Sequence, residues 1–314
     1  MKILSSAGRE DIATVYVADF GGGRMAEFVE SVQPPIPREE KWVFIISTLF
    51  GCPVGCLMCD AGSGYRGKLS AEEMFEQIDY LIRRRYPDGR VPAAMLKIQF
   101  ARMGEPALNP AVIDVLEKFP PRYEAPGFMP SISTVAPKGS GAFFERLAEL
   151  KDRHYGNGRF QLQFSLHSTD EETRDCVVPV RKWGLAEIAA FGERFYRAGD
   201  RKVTLNFALA RDVALDPKVL LRHFDPDCFL VKVTPLNPTY RAREHGLESY
   251  IEPAVGERRY ERVDALRAAG YEVIVSIGEL EENQIGSNCG QYLQRHVHAT
   301  EKIDDGYTYD VEGH

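Results

Sequence analysis

The chain has 314 residues and a formal net charge of −7, with 39 lysines and arginines against 46 aspartates and glutamates. This length is enough for one α/β barrel with an accessory segment. No stretch reaches the roughly 18 uninterrupted apolar residues of a membrane helix, and the charged N-terminal segment is unlike a signal peptide. The acidic balance and the lack of a basic run exclude a general footprint for nucleic acid. We therefore expect a cytoplasmic protein that is not attached to a membrane.

Taken in chain order, the sequence divides into three parts. Residues 1–40 predict an N-terminal accessory β segment that ends in the Pro-rich stretch 33–41. Residues 41–295 predict the main α/β domain, and residues 296–314 a C-terminal tail with partial order. In the main part β-type runs alternate with helical runs, which indicates a parallel sheet. Strands are predicted near 42–49, 94–100, 129–135, 160–167, 202–208 and 229–235, and helices near 71–85, 110–118, 141–153, 184–198 and 216–224.

The first predicted helix has a clear start. Ser70 is followed three positions later by Glu73, which is the pattern of a reciprocal capping box. A cluster of three cysteines therefore lies on the loop between the first strand of the main domain and this helix. In parallel β/α folds, binding and catalytic residues collect on the loops at the carboxyl ends of the strands.

Four predicted strands carry polar side chains on one face. Side chains alternate between the two faces of a strand, and the interior of a packed barrel is normally apolar. Parallel sheets are normally covered on both faces, so a polar inner face needs a polar ligand to satisfy it. We predict a partial barrel filled by a ligand; the alternative is an open sheet with one face in water. The polar residues are Lys97, Gln99, Gln161, Gln163, Ser165, His167, Thr204, Asn206, Lys232 and Thr234.

The six cysteines indicate ligands rather than disulfide bonds, because three of them, Cys52, Cys56 and Cys59, lie within eight residues and the cytosol is reducing. Three thiolates at this spacing can surround a small inorganic core from one loop. A 4Fe–4S cluster usually has four cysteine ligands, so three leave one iron open to chelate S-adenosylmethionine (SAM). A structural zinc site and cysteines packed in a core are the alternatives. Cys176 and Cys228 match no site, and we expect them to be small buried apolar residues.

The CxxxCxxC loop and four further motifs resemble the radical SAM superfamily, in particular its RlmN/Cfr-type branch, which methylates adenine carbons in RNA. The resemblance implies an α/β fold, a partial (β/α)6 radical SAM barrel with a small N-terminal β accessory segment. It also implies a 4Fe–4S cluster on the three clustered cysteines, SAM, and a reductant such as flavodoxin or ferredoxin. The further motifs are MGEP at 103–106, SLHSTDEETRDCVVP at 165–179, PLNP at 235–238 and NCGQ at 288–291.

The resemblance implies roles for individual residues. Cys289 occupies the position of the cysteine that first receives a methyl group from SAM and then attacks the substrate as a carbon radical. A thiolate is a competent nucleophile toward a sulfonium methyl group. Glu30 lies where the family has a proton-accepting glutamate. SAM would be contacted at its methionine end by Gly104 and Glu105, at its nucleoside end by Ser133, and further by Ser165, Leu166, His167 and Asn237.

Three departures from the family pattern bear on function. The second family cysteine, which resolves the covalent adduct by forming a disulfide, is replaced by Ile45. About 40 residues precede the first strand of the barrel, so we do not expect the N-terminal RNA-recognition extension of the family. Met58 stands where many radical SAM loops have an aromatic residue. We therefore expect a folded ribosomal RNA not to be the substrate.

The leading functional hypothesis is a radical SAM methyltransferase that acts through a methylated Cys289 on a small-molecule or nucleotide-like substrate. A second hypothesis is a radical SAM enzyme without methyl transfer, which abstracts hydrogen or transfers a SAM fragment. An RNA adenine methyltransferase and a non-catalytic metal-binding protein are further alternatives.

Overall fold

A computed structural model describes residues 1–62, 64–252 and 259–314. Eleven strands in this part of the chain form one sheet, in the order β10-β9-β8-β7-β6-β5-β4-β3-β2-β1-β11. The strands are β1 (Lys2–Arg9), β2 (Ala13–Asp19), β3 (Met25–Ser31), β4 (Trp42–Ile46), β5 (Leu96–Phe100), β6 (Phe128–Thr134), β7 (Gln161–Ser165), β8 (Val203–Ala208), β9 (Phe229–Thr234), β10 (Val273–Val275) and β11 (Glu312–Gly313).

Helices follow most of the parallel strands, and a 3-10 helix, Pro106–Leu108, follows β5. The capping box at Ser70 is confirmed, because its side chain accepts from the Glu73 amide and the Glu73 carboxylate accepts from the Ser70 amide. The α-helices are α1 (Ala71–Arg85), α2 (Ala111–Arg122), α3 (Gly141–His154), α4 (Glu171–Val177), α5 (Leu185–Phe195), α6 (Pro217–Leu221), α7 (Tyr240–Glu244), α8 (Glu261–Ala268), α9 (Leu280–Ile285) and α10 (Leu293–His298).

The strands from β4 to β10 are parallel and pair in chain order. The six predicted strands are confirmed as β4 to β9, and the five predicted helices as α1, α2, α3, α5 and α6. The sequence patterns did not predict β10, which is three residues long, or the short helices α4, α7, α8, α9 and α10. Elements this short have too few residues to establish a period.

The accessory strands extend the barrel sheet. β1, β2 and β3 form an antiparallel meander, and β3 pairs antiparallel with β4. The tail returns to this region, where β11 pairs with β1. The predicted domain boundaries at residues 40 and 295 stay predictions. The strands before residue 40, the parallel strands after it and the tail strand β11 all belong to one hydrogen-bonded sheet.

The two faces of the parallel sheet differ as the alternation predicts. The outer face is apolar and packs under the helices in one large core that includes Leu96, Ile98 and Phe100. The inner face carries the polar side chains, and we call the concave space that it lines the barrel interior. Lys97 on β5 and Lys232 on β9 would be about 19 Å apart in a flat sheet, at four strand spacings of about 4.8 Å. The charge of Lys232 nevertheless contributes to lowering the pKa of Lys97, as expected for a curved sheet. The sheet is open, with β10 and β11 at its two edges, so it forms a partial barrel rather than a closed one.

Among the described residues, no helix combines the length and the apolar character needed to cross a membrane.

Candidate active site

Residues 51–60, here called the cysteine loop, follow β4 at its carboxyl end. Neighbouring elements hold this loop through its backbone: the Leu57 amide donates to Val177 at the end of α4 (3.0 Å). The Arg241 guanidinium donates to the carbonyls of Cys56 (3.0 Å) and Gly55 (3.2 Å). Val135, Val177 and Val178 from neighbouring elements pack with Val54 of the loop, and the side chains of Cys52 and Cys56 lie against this apolar cluster. The three thiols therefore project from a fixed backbone in apolar surroundings.

The electrostatics of the loop fit a cationic cluster. Burial raises the pKa of the Cys52 thiol to about 11, and it raises the pKa values of Cys56 and Cys59 further; the thiols also raise one another's pKa values by mutual repulsion. The amides of Val54 and Gly55 oppose this shift by donating toward the Cys52 sulfur. Positive iron centres would supply the charge that stabilises three neighbouring thiolates. No group of three potential ligands in the described ranges converges on a single-ion site.

Gly104 and Glu105 lie directly beside the cysteine loop. Gly104 has a φ of 99°, and a Cβ atom there would lie 2.5 Å from Leu49, so no other residue fits. The buried Glu105 carboxylate accepts from the Val135 amide (2.9 Å), the Ala107 amide (3.0 Å) and the Thr134 hydroxyl. Burial raises the pKa of Glu105 to about 7, and these three donors oppose the shift. The carboxylate is therefore fixed in position at the edge of the barrel interior.

The carboxyl end of β7 presents three of the predicted SAM contacts. Ser165 ends the strand on its inner face. The Leu166 side chain is fully buried in the outer core, which leaves its backbone as the part able to face a ligand, and its contact with SAM stays a prediction. His167 has a φ of 64°, and its Nδ1 accepts from the Ala208 amide (3.2 Å). Burial lowers the pKa of His167 to about 4, so the ring is neutral and its Nε2 carries the proton.

Ser133 lies on β6, where its hydroxyl accepts from the Gln163 side chain (3.2 Å). Asn237 follows β9, and its side-chain amide donates to the Cys289 carbonyl (2.9 Å). The structure thus brings Asn237 to the candidate methyl carrier.

Residues 286–291, the Cys289 loop, pack directly on the cysteine loop. The Asp60 amide donates to the Gly290 carbonyl (2.8 Å). Gly290 has a φ of 85°, and a Cβ atom there would lie 2.9 Å from the Met58 carbonyl oxygen. Cys289 is exposed, and the charge of Lys232 on the inner face of β9 acts on its thiol. The enclosure by protein atoms raises the pKa of its thiol, and the charges of Arg102 and Lys232 oppose this shift.

A buried ion pair that the sequence analysis missed fastens the Cys289 loop to the sheet. Arg102 donates to Glu27 on β3 (2.7 Å), and both side chains are almost completely buried. Arg102 also donates to the carbonyls of residues 286, 287 and 288 at 2.9 to 3.2 Å. Glu27 in turn accepts from the amides of Leu293 and Gln294 (3.2 and 2.9 Å). The one sequence signal that could have pointed to Arg102 is its position directly before the MGEP motif.

Asp60, the residue after the third clustered cysteine, was also missed. Its carboxylate accepts from the amides of Tyr240 (3.1 Å) and Arg241 (2.9 Å) at the start of α7. It accepts from the Tyr307 hydroxyl of the tail as well (3.2 Å). Asp60 therefore joins the cysteine loop, α7 and the tail.

Glu30 is not part of this constellation. Its carboxylate accepts from the Trp42 indole (2.9 Å) and from Arg85 on α1 (2.7 Å), on the face of the sheet that the helices cover. Glu30 pairs with the core residue Phe44 in the register of β3 and β4. The neighbouring pair, Val29 and Ile45, lies on the opposite face of the sheet. The accessory strand presents the wrong face for the predicted proton acceptor, which corrects that expectation.

The remaining cysteines do not approach the site. Cys176 on α4 is exposed rather than buried, because it lies on the solvent side of a short helix, and Cys228 is partly buried before β9. Ile45 packs against an apolar cluster that includes Ile285 and Leu293.

Comparisons with known proteins point to one group. No family model matches the chain. It is 30% identical to a probable dual-specificity RNA methyltransferase RlmN from Mycobacterium sp. over 264 residues, 78% of this chain and 66% of the relative. Another such protein, from Rhodococcus opacus, is 27% identical over 93% of this chain and 76% of its own length. The chain spans 58% of the length of the relative from Acidothermus cellulolyticus, at 28% identity.

The fold has a counterpart among solved structures. The crystal structure of a radical SAM methyltransferase from Sphaerobacter thermophilus aligns with a TM-score of 0.69, at 24% identity, over 92% of this chain and 80% of that one. An open parallel barrel with a CxxxCxxC loop at its carboxyl edge defines the class of radical SAM enzymes, which use a 4Fe–4S cluster and SAM. Within this class, the relatives support similarity to the RlmN/Cfr-type branch.

Proposed function

We propose that this enzyme methylates a small-molecule or nucleotide-like substrate and that Cys289 carries the methyl group. The observation that supports this most strongly is the fastening of the Cys289 loop to the cysteine loop. The hydrogen bond from the Asp60 amide to the Gly290 carbonyl (2.8 Å) keeps the carrier thiol beside the residues that would hold the cluster. A cysteine that merely filled space would not need to be exposed.

Cys52, Cys56 and Cys59 would hold the cluster, and Glu105 would face the ammonium group of SAM. An ammonium ion would lower the pKa of Glu105 from about 7 and favour its carboxylate form. The neutral His167 could donate from Nε2 to a SAM oxygen or nitrogen. The bound cluster and SAM supply the electron that cleaves a carbon–sulfur bond of SAM and the 5′-deoxyadenosyl radical that takes up a hydrogen atom.

In the first half of the proposed cycle, Cys289 acts as a nucleophile. Its thiol loses a proton, and the charges of Arg102 and Lys232 favour the resulting thiolate. A sulfur lone pair then forms a bond to the SAM methyl carbon as the bond from that carbon to the sulfonium breaks. S-adenosylhomocysteine leaves with the electron pair, and Cys289 becomes an S-methyl cysteine.

In the second half, the S-methyl group gives up a hydrogen atom and its carbon bonds to the substrate. The substrate carbon loses a proton, the bond from the methylene carbon to the Cys289 sulfur breaks, and the methylene carbon gains a proton. Sulfur leaves as a thiyl radical because Ile45 offers no second thiol, and one electron from a ferredoxin- or flavodoxin-type donor returns it to the thiolate. This route differs from the disulfide route that the resemblance implies.

Ile45 also favours a second candidate, a radical SAM reaction without methyl transfer. In that case Cys289 would donate a hydrogen atom or a proton. Substitution of Cys289 separates the two candidates, because a methyl carrier is indispensable for methyl transfer and dispensable for the cleavage of SAM.

RNA is the substrate that the names of the relatives suggest. We infer a smaller substrate because the chain carries a net charge of −7, and the barrel interior offers polar groups to a molecule that can enter it. Purified RNA tests this inference, as described below.

The test uses the anaerobically reconstituted enzyme with SAM and a strong reductant. Cys289→Ser is expected to abolish methylation of the protein while 5′-deoxyadenosine still forms. Cys176→Ser is the matched control, since Cys176 is exposed on the surface, and it should behave like the wild type. Equal methylation of the protein in Cys289→Ser and wild type would refute the carrier role.

A further inference from the structure

Two lysines point into the barrel interior from opposite sides. Lys97 lies between Leu96 and Ile98 on β5, and both of these neighbours are fully buried in the outer core. Lys232 has the same setting on β9, between the fully buried Val231 and Val233. Because side chains alternate along a strand, both ammonium groups lie on the inner face.

These ammonium groups act on each other across the interior. Burial, together with the charges of Lys232, Lys41 and Arg201, lowers the pKa of Lys97 to about 7. Burial also lowers the pKa of Lys232. Positive charge is therefore concentrated in an enclosed space where water screens it poorly.

No carboxylate of the described residues forms an ion pair or a hydrogen bond with either lysine. Among the described residues, Cys289 is the one acidic group that raises the pKa of Lys232. Two other lysines with buried side chains do have carboxylate partners: Lys151 pairs with Asp200 at 2.7 Å, and Lys182 pairs with Asp175 at 2.5 Å. Lys97 and Lys232 are half-buried, so a ligand can reach them. Charges withdrawn from water are normally paired, so two such lysines without a carboxylate among the described residues indicate a partner that binds from outside.

The barrel interior also has an unsatisfied acceptor. The side-chain oxygen of Asn206 is buried and has no hydrogen-bond donor. Asn206 pairs in register with Lys232 on one side and with Ser165 on the other. A bound molecule could therefore give a hydrogen bond to Asn206 and accept hydrogen bonds from the lysines in the same region.

We propose that Lys97 and Lys232 bind an oxyanion of the substrate, a carboxylate or a phosphate, and hold the substrate next to Cys289. This assignment of a substrate class rests on the proposed function, because it makes the barrel interior the substrate site. Lys232 lies on β9, and Asn237, which follows β9, donates to the Cys289 carbonyl (2.9 Å), so the strand that carries the anion site leads directly to the methyl carrier. A neutral substrate would leave two ammonium groups without a counter-charge.

The experiment measures the reactivity of lysine amines in the wild-type enzyme, so it does not depend on a variant that folds. Reductive dimethylation with formaldehyde and dimethylamine–borane, both uncharged, is followed by mass spectrometry in the presence of inorganic phosphate, acetate or sodium chloride at equal ionic strength. At a saturating concentration, phosphate or acetate is expected to slow the labelling of Lys97 and Lys232 at least tenfold. The exposed Lys118 on α2 is the internal control and should label at one rate throughout.

The two anions distinguish the two chemical sources. Stronger protection by phosphate indicates a phosphorylated substrate, and stronger protection by acetate indicates a carboxylic acid. Lys97→Met and Lys232→Met should each weaken the binding of the better anion at least tenfold, whereas Lys97→Arg and Lys118→Met should retain it. Protection by neither anion, or equal protection by sodium chloride, would overturn the proposal.

Two controls distinguish this proposal from binding of SAM by the lysines and from the proposed role of Cys289 as methyl carrier. If SAM alone protects Lys97, the lysines bind the SAM carboxylate, and the assignment to the substrate is overturned. Methylation of Cys289 is measured separately in the wild type without added anion. Failure of that methylation together with intact anion protection would refute the proposed methyl carrier, and leave the anion site standing.

Discussion

At the scale of single residues, the site depends on positions where the backbone conformation or the protonation state of a side chain is constrained. Gly290 brings the Cys289 loop to the cysteine loop, and His167 and Gly104 have positive φ angles at the mouth of the barrel. Lys97 is held where its charge is disfavoured. Each of these residues gives a prediction that concerns one side chain.

Gly290→Ala should destabilise the protein more than Gly139→Ala does. Both glycines have φ angles near 85–89°, which costs an alanine about 1–2 kcal/mol. A Cβ atom at Gly139 meets no atom within 4 Å, whereas at Gly290 it lies 2.9 Å from the Met58 carbonyl oxygen. Urea unfolding should show the difference, together with slower methylation of Cys289 in Gly290→Ala. Equal midpoints for the two variants would contradict the close contact of the loops.

Binding of the anion should weaken as the pH rises above about 7. The pKa of Lys97 is about 7 because of burial and because Lys232, Lys41 and Arg201 face it, so below this pH the ammonium form is available to an anion. Above this pH the Lys97 amine is mostly neutral, so it must take up a proton before it can pair with the anion. Isothermal titration with acetate, whose own charge is constant over pH 6 to 9, measures this dependence. An affinity that is constant over this range would show that Lys97 does not hold the anion.

At the scale of secondary-structure elements, the sequence predicts what local periodicity determines. The alternation in β5 and β9 placed Lys97 and Lys232 on the inner face, and the capping box at Ser70 fixed the start of α1. The fastening of the Cys289 loop could not be predicted, because Glu27 and Arg102 are 75 residues apart and Arg102 lies about 185 residues from the loop that it holds. The error at Glu30 has the same origin, since a shift of one residue in β3 exchanges the two faces of the sheet.

Glu27→Gln should cost about 3 kcal/mol of stability, because it leaves the buried Arg102 without its counter-charge. Burial raises the pKa of Glu27, and the charge of Arg102 opposes this shift. The attraction between the two side chains therefore offsets the free-energy cost of removing the Glu27 carboxylate from water. Glu145→Gln is the matched control: it breaks an exposed pair with Arg194, and should cost less than about 1 kcal/mol. The comparison is made by urea unfolding, and similar losses in both variants would refute the role of the buried pair.

At the scale of the whole molecule, one sheet joins the accessory strands, the open barrel and the tail. Its charge is acidic overall, and the inner face of the sheet carries two lysines, Lys97 and Lys232, for which the described residues offer no carboxylate partner. Such a distribution favours a small anion that enters the barrel over a polyanion that covers the surface.

The purified protein should therefore show little binding to RNA at physiological salt concentration. Fluorescence anisotropy with a labelled RNA hairpin, measured at 50 and 200 mM salt, tests this expectation. Tight binding that falls steeply with salt would indicate several phosphate contacts and would favour RNA as the substrate.

The central claim is that Cys289 carries the transferred methyl group. The most direct measurement is mass spectrometry of the peptide that contains Cys289, after incubation of the reconstituted enzyme with SAM that bears a trideuterated methyl group. The account predicts that Cys289 carries the labelled methyl group before a substrate is added and that S-adenosylhomocysteine forms in equal amount. An unmodified Cys289 in an enzyme that releases 5′-deoxyadenosine would contradict the claim and support a radical reaction without methyl transfer.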